Sequence, residues 1–137
     1  MRNIKIIHHG DPVPQQRART AIVKGRVINY DPPKCRQYKQ ELAYTASFEQ
    51  SFKVEPLHLK IRIYRPIPKS FSKKKRREAL EGKVLPATKP DLKNYVAGIE
   101  DALEGVVFKN DSQIISYDCA KYYGDPPRIE VEFTPIK

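Results

Sequence analysis

The most regular pattern in the chain runs from Leu57 to Tyr64, where Leu57, Leu59, Ile61 and Ile63 alternate with His58, Lys60, Arg62 and Tyr64. A period of two puts the four aliphatic side chains on one face, which predicts a strand with a dry side and a polar side. Asn3 to His9, with Ile4, Ile6 and Ile7, reads as another strand. In Ile129 to Phe133 the residues Ile129, Val131 and Phe133 share a face opposite Glu130 and Glu132. Ile114 to Tyr122 reads as a further strand, joined to the last by Gly124-Asp-Pro-Pro. Ala21 to Ile28 has the form of a hairpin with Lys24-Gly25 at its tip, since a glycine there supplies the positive φ of tight turns.

Elsewhere a spacing of three to four replaces the alternation. Tyr38, Leu42, Thr45, Phe48 and Phe52 predict one buried stripe on a helix from about Lys34 to Phe52, opened by Asp31-Pro-Pro and ended before Pro56. Ser72 is a natural N-cap for a helix from Lys73 to Glu81, with Gly82 just past its end. Asp91 is placed to cap a third helix, Leu92 to Glu104, which Gly105 stops. Prolines at 12, 14, 66 and 68 and the segment 83–90 mark the loops. Hairpins mixed with helices in this order predict an α+β fold: one small domain over 1–137, with a mixed β-sheet covered by helices. A chain of 137 residues is long enough to bury about two-thirds of its unfolded surface in one core.

Composition narrows the class. Hydrophobic residues make up 39% and charged residues 31%, and no apolar run approaches the roughly 18 residues of a membrane span. The first nine residues lack the apolar region and cleavage site of a secretory signal. Cys35 and Cys119 stand far apart with no C-x-x-C spacing, so they are expected to be reduced thiols of a cytoplasmic protein rather than a disulfide or zinc ligands. Lys and Arg number 26 against 16 Asp and Glu, a net charge of +10. Such a balance favours a polyanionic partner, because cationic side chains release counterions from a phosphate backbone. The candidates for phosphate contact are Arg17 and Arg19 after the first prolines, the run Lys73, Lys74, Lys75, Arg76 and Arg77, and the neighbouring Lys69, Lys83 and Lys89. The run reads equally as the solvated face of a helix.

The candidate chemistry lies between Lys89 and Ile114. Asp91 stands where a helix begins and Asp111 in a polar turn before a strand. Taken singly, either is an ordinary cap or turn residue. As a pair they suit Mg²⁺, which takes oxygen ligands and keeps only one or two protein carboxylates beside water and substrate phosphate. Asp101 and Glu100, further along the same helix, are additional ligand candidates. His8 and His9 have no visible general-base partner and read as surface or packing residues. Tyr64, Tyr117, Tyr122 and Tyr123 are candidates for stacking on unpaired bases, although most tyrosines of a small domain serve its core and rim.

The run Lys89-Pro-Asp-Leu-x-Asn, then Asp101-Ala-Leu-x-Gly105-Val-Val, then Asn110-Asp-Ser-Gln-Ile114 resembles the signature of the RusA family of Holliday-junction resolvases. Pro12-Val-Pro-Gln-Gln-Arg-Ala-Arg19, Gly25-Arg-Val27, Tyr38-Lys-Gln-Glu-Leu42 and the segment 70–82 are similar to the N-terminal half of that family, so the resemblance covers nearly the whole chain. It implies a homodimeric, Mg²⁺-dependent endonuclease, with Mn²⁺ as a possible substitute, that nicks four-way DNA junctions symmetrically in recombination and repair and is common among phages. Asp91 and Asp111 match metal-site aspartates of the family. Two positions depart from it. Lys93 stands where the family has a second aspartate, and Ala97 where it usually has a functional lysine. Residues 93 and 97 lie one turn apart on a helix face, so Lys93 is placed to serve as the displaced catalytic lysine, with Glu100 restoring negative charge. The alternative is that Lys93 pairs with Asp91 and Asp111 in the metal's place, giving a protein that binds junctions without cutting them.

Overall fold

The computed structural model describes residues 3–137. In chain order these form β1 (Ile4–His9), β2 (Arg19–Val23), β3 (Arg26–Tyr30), α1 (Pro33–Ala46), β4 (Leu57–Arg65), α2 (Lys73–Leu80), α3 (Leu92–Leu103), a 3₁₀ turn (Asp111–Gln113), β5 (Ile114–Tyr123) and β6 (Arg128–Pro135). The strand with the clearest alternation is also the most enclosed. β4 lies between β6 and β5 in a sheet of order β1-β6-β4-β5, and its Leu57, Leu59, Ile61 and Ile63 are fully buried. β1 and β4 run antiparallel to β6, whereas β4 and β5 are parallel. A parallel pair needs a long crossover, and the segment carrying α2 and α3 provides it. β5 and β6, consecutive along the chain, are therefore not neighbours, because β4 is inserted between them. The fold is α+β, as the order of elements predicts.

One face of the sheet is dry and one is polar. Ile4, Ile6, Ile129, Val131 and Phe133 join the β4 aliphatics against Tyr38, Leu42 and Ala46 of α1 and Tyr95, Ile99, Ala102 and Leu103 of α3. Lys5, Lys60, Arg62, Tyr64, Glu130 and Glu132 line a groove on the opposite face. The helices thus cover a single side of the sheet. α2 sits at its edge, where Phe71 just before the helix meets Tyr123 of β5 edge-on.

The first helix differs from its expected extent. It ends at Ala46, and its buried stripe is Cys35, Tyr38, Leu42 and Ala46. Thr45 is exposed and its hydroxyl donates to the Glu41 carbonyl, while Phe48 is 75% exposed. Phe52 reaches the core by another route, its N–H donating to the Val107 carbonyl at 2.7 Å. The apolar residues beyond Ala46 extended the periodicity without belonging to the helix.

Two attachments fix α3, the helix that carries the candidate chemistry. The Gln15 N–H donates to the Asn94 carbonyl at 2.9 Å, and a Cβ on Gly98 would lie 3.3 Å from the Gln15 nitrogen. A glycine at 98 lets the segment before β2 lie directly on the helix. On the other side, Lys39 of α1 hydrogen-bonds both Asp31 and Asp101 with a side chain only 11% exposed. Burial pushes the Lys39 ammonium down, and the two carboxylates more than offset this. The β2–β3 hairpin stands apart as a separate sheet, turned at Lys24 and Gly25, both with positive φ.

Lys39→Met breaks the tie between α1 and α3. The expected loss is about 1–2 kcal/mol at neutral pH by urea denaturation. The Asp31 carboxyl is held below its ordinary value of 3.8, chiefly by the Lys39 hydrogen bond. That contribution is present above the ordinary value and lost as pH falls through the lowered folded one, so the two proteins converge in stability on acidification.

Candidate active site

Asp91 occupies the N-cap position of α3, yet its side chain makes no capping hydrogen bond. Its backbone carbonyl begins the helix, accepting from Asn94 and Tyr95. The carboxylate is thus exposed and free of the structural duty that its position suggests. The loop in front of it is clamped from two strands. The Lys121 ammonium of β5 donates to the carbonyls of Thr88 and Pro90 at 2.8 and 3.1 Å, and the Arg65 guanidinium of β4 donates to the Thr88 carbonyl at 3.1 Å.

Asp111 is released in a comparable way. Asn110 caps the 3₁₀ turn, its side-chain oxygen accepting from the Ser112 N–H at 2.9 Å. Gln113 completes a reciprocal box by accepting from the Lys109 and Asn110 N–H groups. The Gln113 amide also donates to the carbonyls of Phe52 and Glu55, which locks the turn to the core. An amide oxygen accepts such hydrogen bonds as a carboxylate would, so asparagine at 110 fulfils the capping role. Asp111 keeps its carboxylate exposed, and its N–H donates to Glu104 Oε2 at 3.0 Å.

Between these two residues lies one face of α3 bearing Lys93, Ala97 and Glu100, with Glu104 at the C-cap just beyond it. Two recesses flank it. The larger, of about 630 Å³, is lined by Asp91, Lys93, Ala97, Glu100 and Tyr117, with Leu92, Val96 and Cys119 as its apolar wall. The smaller, of about 160 Å³, is lined by Ala97, Glu100, Asp101, Glu104 and Asp111. Glu100 and Ala97 belong to both. Burial raises the Glu100 carboxyl above its ordinary value; the Tyr117 hydroxyl opposes this by a hydrogen bond, and Asp111 and Glu104 push it further up. The Tyr117 hydroxyl is itself raised, by burial and then by Glu100. Glu100 Oε1 is buried and has no hydrogen-bond partner.

The other expected residues separate into groups. Asp101 lines the smaller recess, but its carboxylate is bound to Lys39. Lys93 is exposed in the first turn of α3, and among the described residues no ion pair joins it to Asp91 or Asp111. Arg17, Arg19, Lys69 and Lys89 are exposed in loops or, for Arg19, at the start of β2. Within α2 the basic run is unequal. Lys75 lies over the Phe71 ring at 4.2 Å, Arg76 pairs with Asp125, and Arg77 approaches Glu81 at 4.0 Å, while Lys73 and Lys74 hold no ion pair among the described residues. His8 and His9 line a different recess, with Glu41. Of the tyrosines, Tyr64 stacks with Tyr122 and has the Arg128 guanidinium over its ring at 4.0 Å, so it serves the sheet surface. Cys35 and Cys119 are free thiols. No helix among the described residues is long and apolar enough to cross a membrane.

The Endodeoxyribonuclease RusA family model matches residues 9–134. The chain belongs to this family. It is also 41% identical over 132 residues to the uncharacterized protein YqaN of Bacillus subtilis (strain 168), with 93% of each chain covered. RusA nucleases depend on divalent metal, and the donors present here fit one. Asp91, Glu100, Glu104 and Asp111 offer oxygens only, as Mg²⁺ and Mn²⁺ prefer, and Glu100 Oε1 is an acceptor in need of a partner. Among the described residues, no three His, Cys, Asp or Glu side chains are grouped closely enough to hold an ion by themselves. Such an arrangement suits a cation whose shell is completed by water and phosphate. Sequence reasoning passed over Glu104, Tyr117 as the partner of Glu100, and the Lys121–Arg65 clamp. The spacing 93, 97, 100 and 104 carried a signal for the first; the other two join strands distant in sequence and gave none.

Gln113→Ala leaves the carbonyls of Phe52 and Glu55 and the N–H groups of Lys109 and Asn110 without their partner. The expected cost is about 2–3 kcal/mol in urea denaturation, because some of those groups are buried.

Proposed function

We propose that the chain is a metal-dependent endodeoxyribonuclease that nicks four-way DNA junctions at symmetric positions, acting in the cytoplasm as a homodimer in recombination and repair. The observation that carries this reading is the release of two carboxylates from backbone duty. Asp91 does not cap its helix, Asn110 rather than Asp111 caps the 3₁₀ turn, and both aspartates face recesses that share Glu100.

Asp91 and Asp111 would hold Mg²⁺ or Mn²⁺, which when bound lowers the pKa of a water and stabilises the charge developing on phosphate. The other roles belong to the chain. Lys121 and Arg65 keep the loop before Asp91 in place. Lys93, exposed beside Asp91 and without an ion pair, presents its ammonium to a backbone phosphate as the displaced lysine of the family would. Arg17, Arg19, Lys69, Lys73, Lys74 and Lys89 hold the arms, since phosphate contacts orient a protein on DNA without reading its sequence. Lys75, Arg76 and Arg77 contribute less, because each already has an intramolecular contact. Asp101 acts through Lys39 in holding α1 to α3.

Symmetric nicking requires two sites, which a two-fold dimer supplies. An isolated two-stranded hairpin is marginal in water, and here Ile22 and Val27, paired across β2 and β3, are 76% and 69% exposed. This pair is the apolar surface that a dimer would cover. Ile22→Glu with Val27→Glu is expected to convert a dimer to monomers in sedimentation velocity; an unchanged dimer places the contact elsewhere.

Incubation of a mobile four-way junction with the purified chain and Mg²⁺ or Mn²⁺ tests the activity. Paired nicks are expected, abolished by chelator and reduced at least about a hundredfold in Asp91→Asn and Asp111→Asn, beyond the range for groups one layer outside a metal. Junction binding that is indifferent to chelator, with no nicking until Lys93 is replaced in Lys93→Asp, would instead mean that Lys93 stands in for the metal.

A further inference from the structure

We infer that Arg65 and Lys121 form a binding subsite for a backbone phosphate of the DNA, at the C-terminal ends of β4 and β5 beside Asp91. This rests on the nuclease reading above, and it gives the two cations a direct contact with substrate in addition to their hold on the loop.

The sheet puts both residues on the face that elsewhere carries its core. Leu57, Leu59, Ile61 and Ile63 form the buried row of β4, and Arg65 is the next residue of that row. Lys121 is paired with Ile63 in the parallel register, so it lies on the same helix-covered face. Both residues are half-buried. A cation drawn out of water is normally matched by a carboxylate, because its lost hydration costs free energy that an opposite charge offsets. Among the described residues neither Arg65 nor Lys121 enters an ion pair. Their partners are neutral: the Thr88 and Pro90 carbonyls, and the Thr88 hydroxyl at 3.3 Å from Arg65.

Donors remain on both side chains. The Lys121 ammonium gives two of its three N–H groups to carbonyls, and the third is open. Arg65 is engaged through Nη1, while Nε and Nη2 hold no hydrogen bond among the described residues. A phosphate accepts charge-assisted hydrogen bonds from both, and the arginine fork suits its oxygens.

The surroundings select a nucleic-acid strand over a single small anion. Asp125, a carboxylate in the turn after β5, is taken by Arg76. Lys75 lies over the Phe71 ring, Phe71 packs on Tyr123, and Tyr123 is the residue paired with Arg65. From there the Thr88 carbonyl joins Arg65 to Lys121, and Lys121 reaches Pro90, the residue before Asp91. Lys89 is exposed in the same loop, and Lys93 is exposed just past Asp91. The cations follow one another from α2 to α3, a track that regularly spaced phosphates match and one small anion would leave mostly empty.

The test is binding of a four-way junction to the purified chain in EDTA, which prevents nicking, over a series of KCl concentrations. Each cation that meets a phosphate contributes about 0.9 to the slope of the logarithm of the binding constant against that of salt. Arg65→Gln leaves Lys121 on both carbonyls, so the loop stays held. Lys121→Gln and Lys121→Arg are measured beside it, with the melting temperature of each. Lys5→Gln, on the opposite face of the sheet, is the control. The expected slope is smaller by about 0.9 in Arg65→Gln and in Lys121→Gln, retained in Lys121→Arg and unchanged in Lys5→Gln. A slope unchanged in Arg65→Gln, lowered only in variants whose melting temperature also falls, or lowered as much in Lys5→Gln, would overturn the subsite and leave the nuclease reading intact. Absence of salt-dependent junction binding by the unaltered chain would overturn both.

Discussion

Glu100, Glu104 and Asp111 line one recess beside α3, and among the described residues no ion pair engages any of them. Burial, and after it the neighbouring Asp111 and Glu104, raises the Glu100 carboxyl, so holding a charged carboxylate here opposes folding. The rest of the molecule is arranged to impose this. α3 is fixed by Lys39 on one side and by the Gln15 segment on the other, while Gln113 ties the Asp111 turn to the core under Phe52. The two rigid attachments meet at the recess.

The surrounding surface has the opposite sign. On the proposed reading, a net charge of +10 with an acidic recess would separate two tasks, exposed cations drawing a phosphate backbone while the carboxylates hold a metal beside it. Lys93 stands at the boundary between the two. It is exposed, and among the described residues no ion pair joins it to Asp91 or Asp111.

Much of this was legible in the sequence, and the limits were physical. The alternation in β4 was clear because that strand is enclosed by neighbours on both sides and by helices on one face. Helix caps at Ser72, Gly82 and Gly105 act locally and were read correctly. The first helix was read too long because Phe48 and Phe52 continued its spacing, although one is exposed and the other is buried by pairing with the Phe108 region. The adjacency of β4 to both β5 and β6 is set by a crossover that local patterns do not encode. At the site, the aspartates were found by motif, but their freedom from capping bonds, the orphaned Glu100 oxygen and the loop clamp of Lys121 emerge only when distant elements meet.

The central claim is that Asp91 and Asp111 hold a divalent cation whose shell is completed by water and phosphate. Anomalous diffraction from crystals of the chain soaked in Mn²⁺ with junction DNA tests it most directly. The account predicts a peak between α3 and the 3₁₀ turn, at about 2.0–2.2 Å from carboxylate oxygens of these residues, the distance that such small hard cations require. A peak at another place, or the Lys93 ammonium lying between Asp91 and Asp111 with no metal, would contradict it.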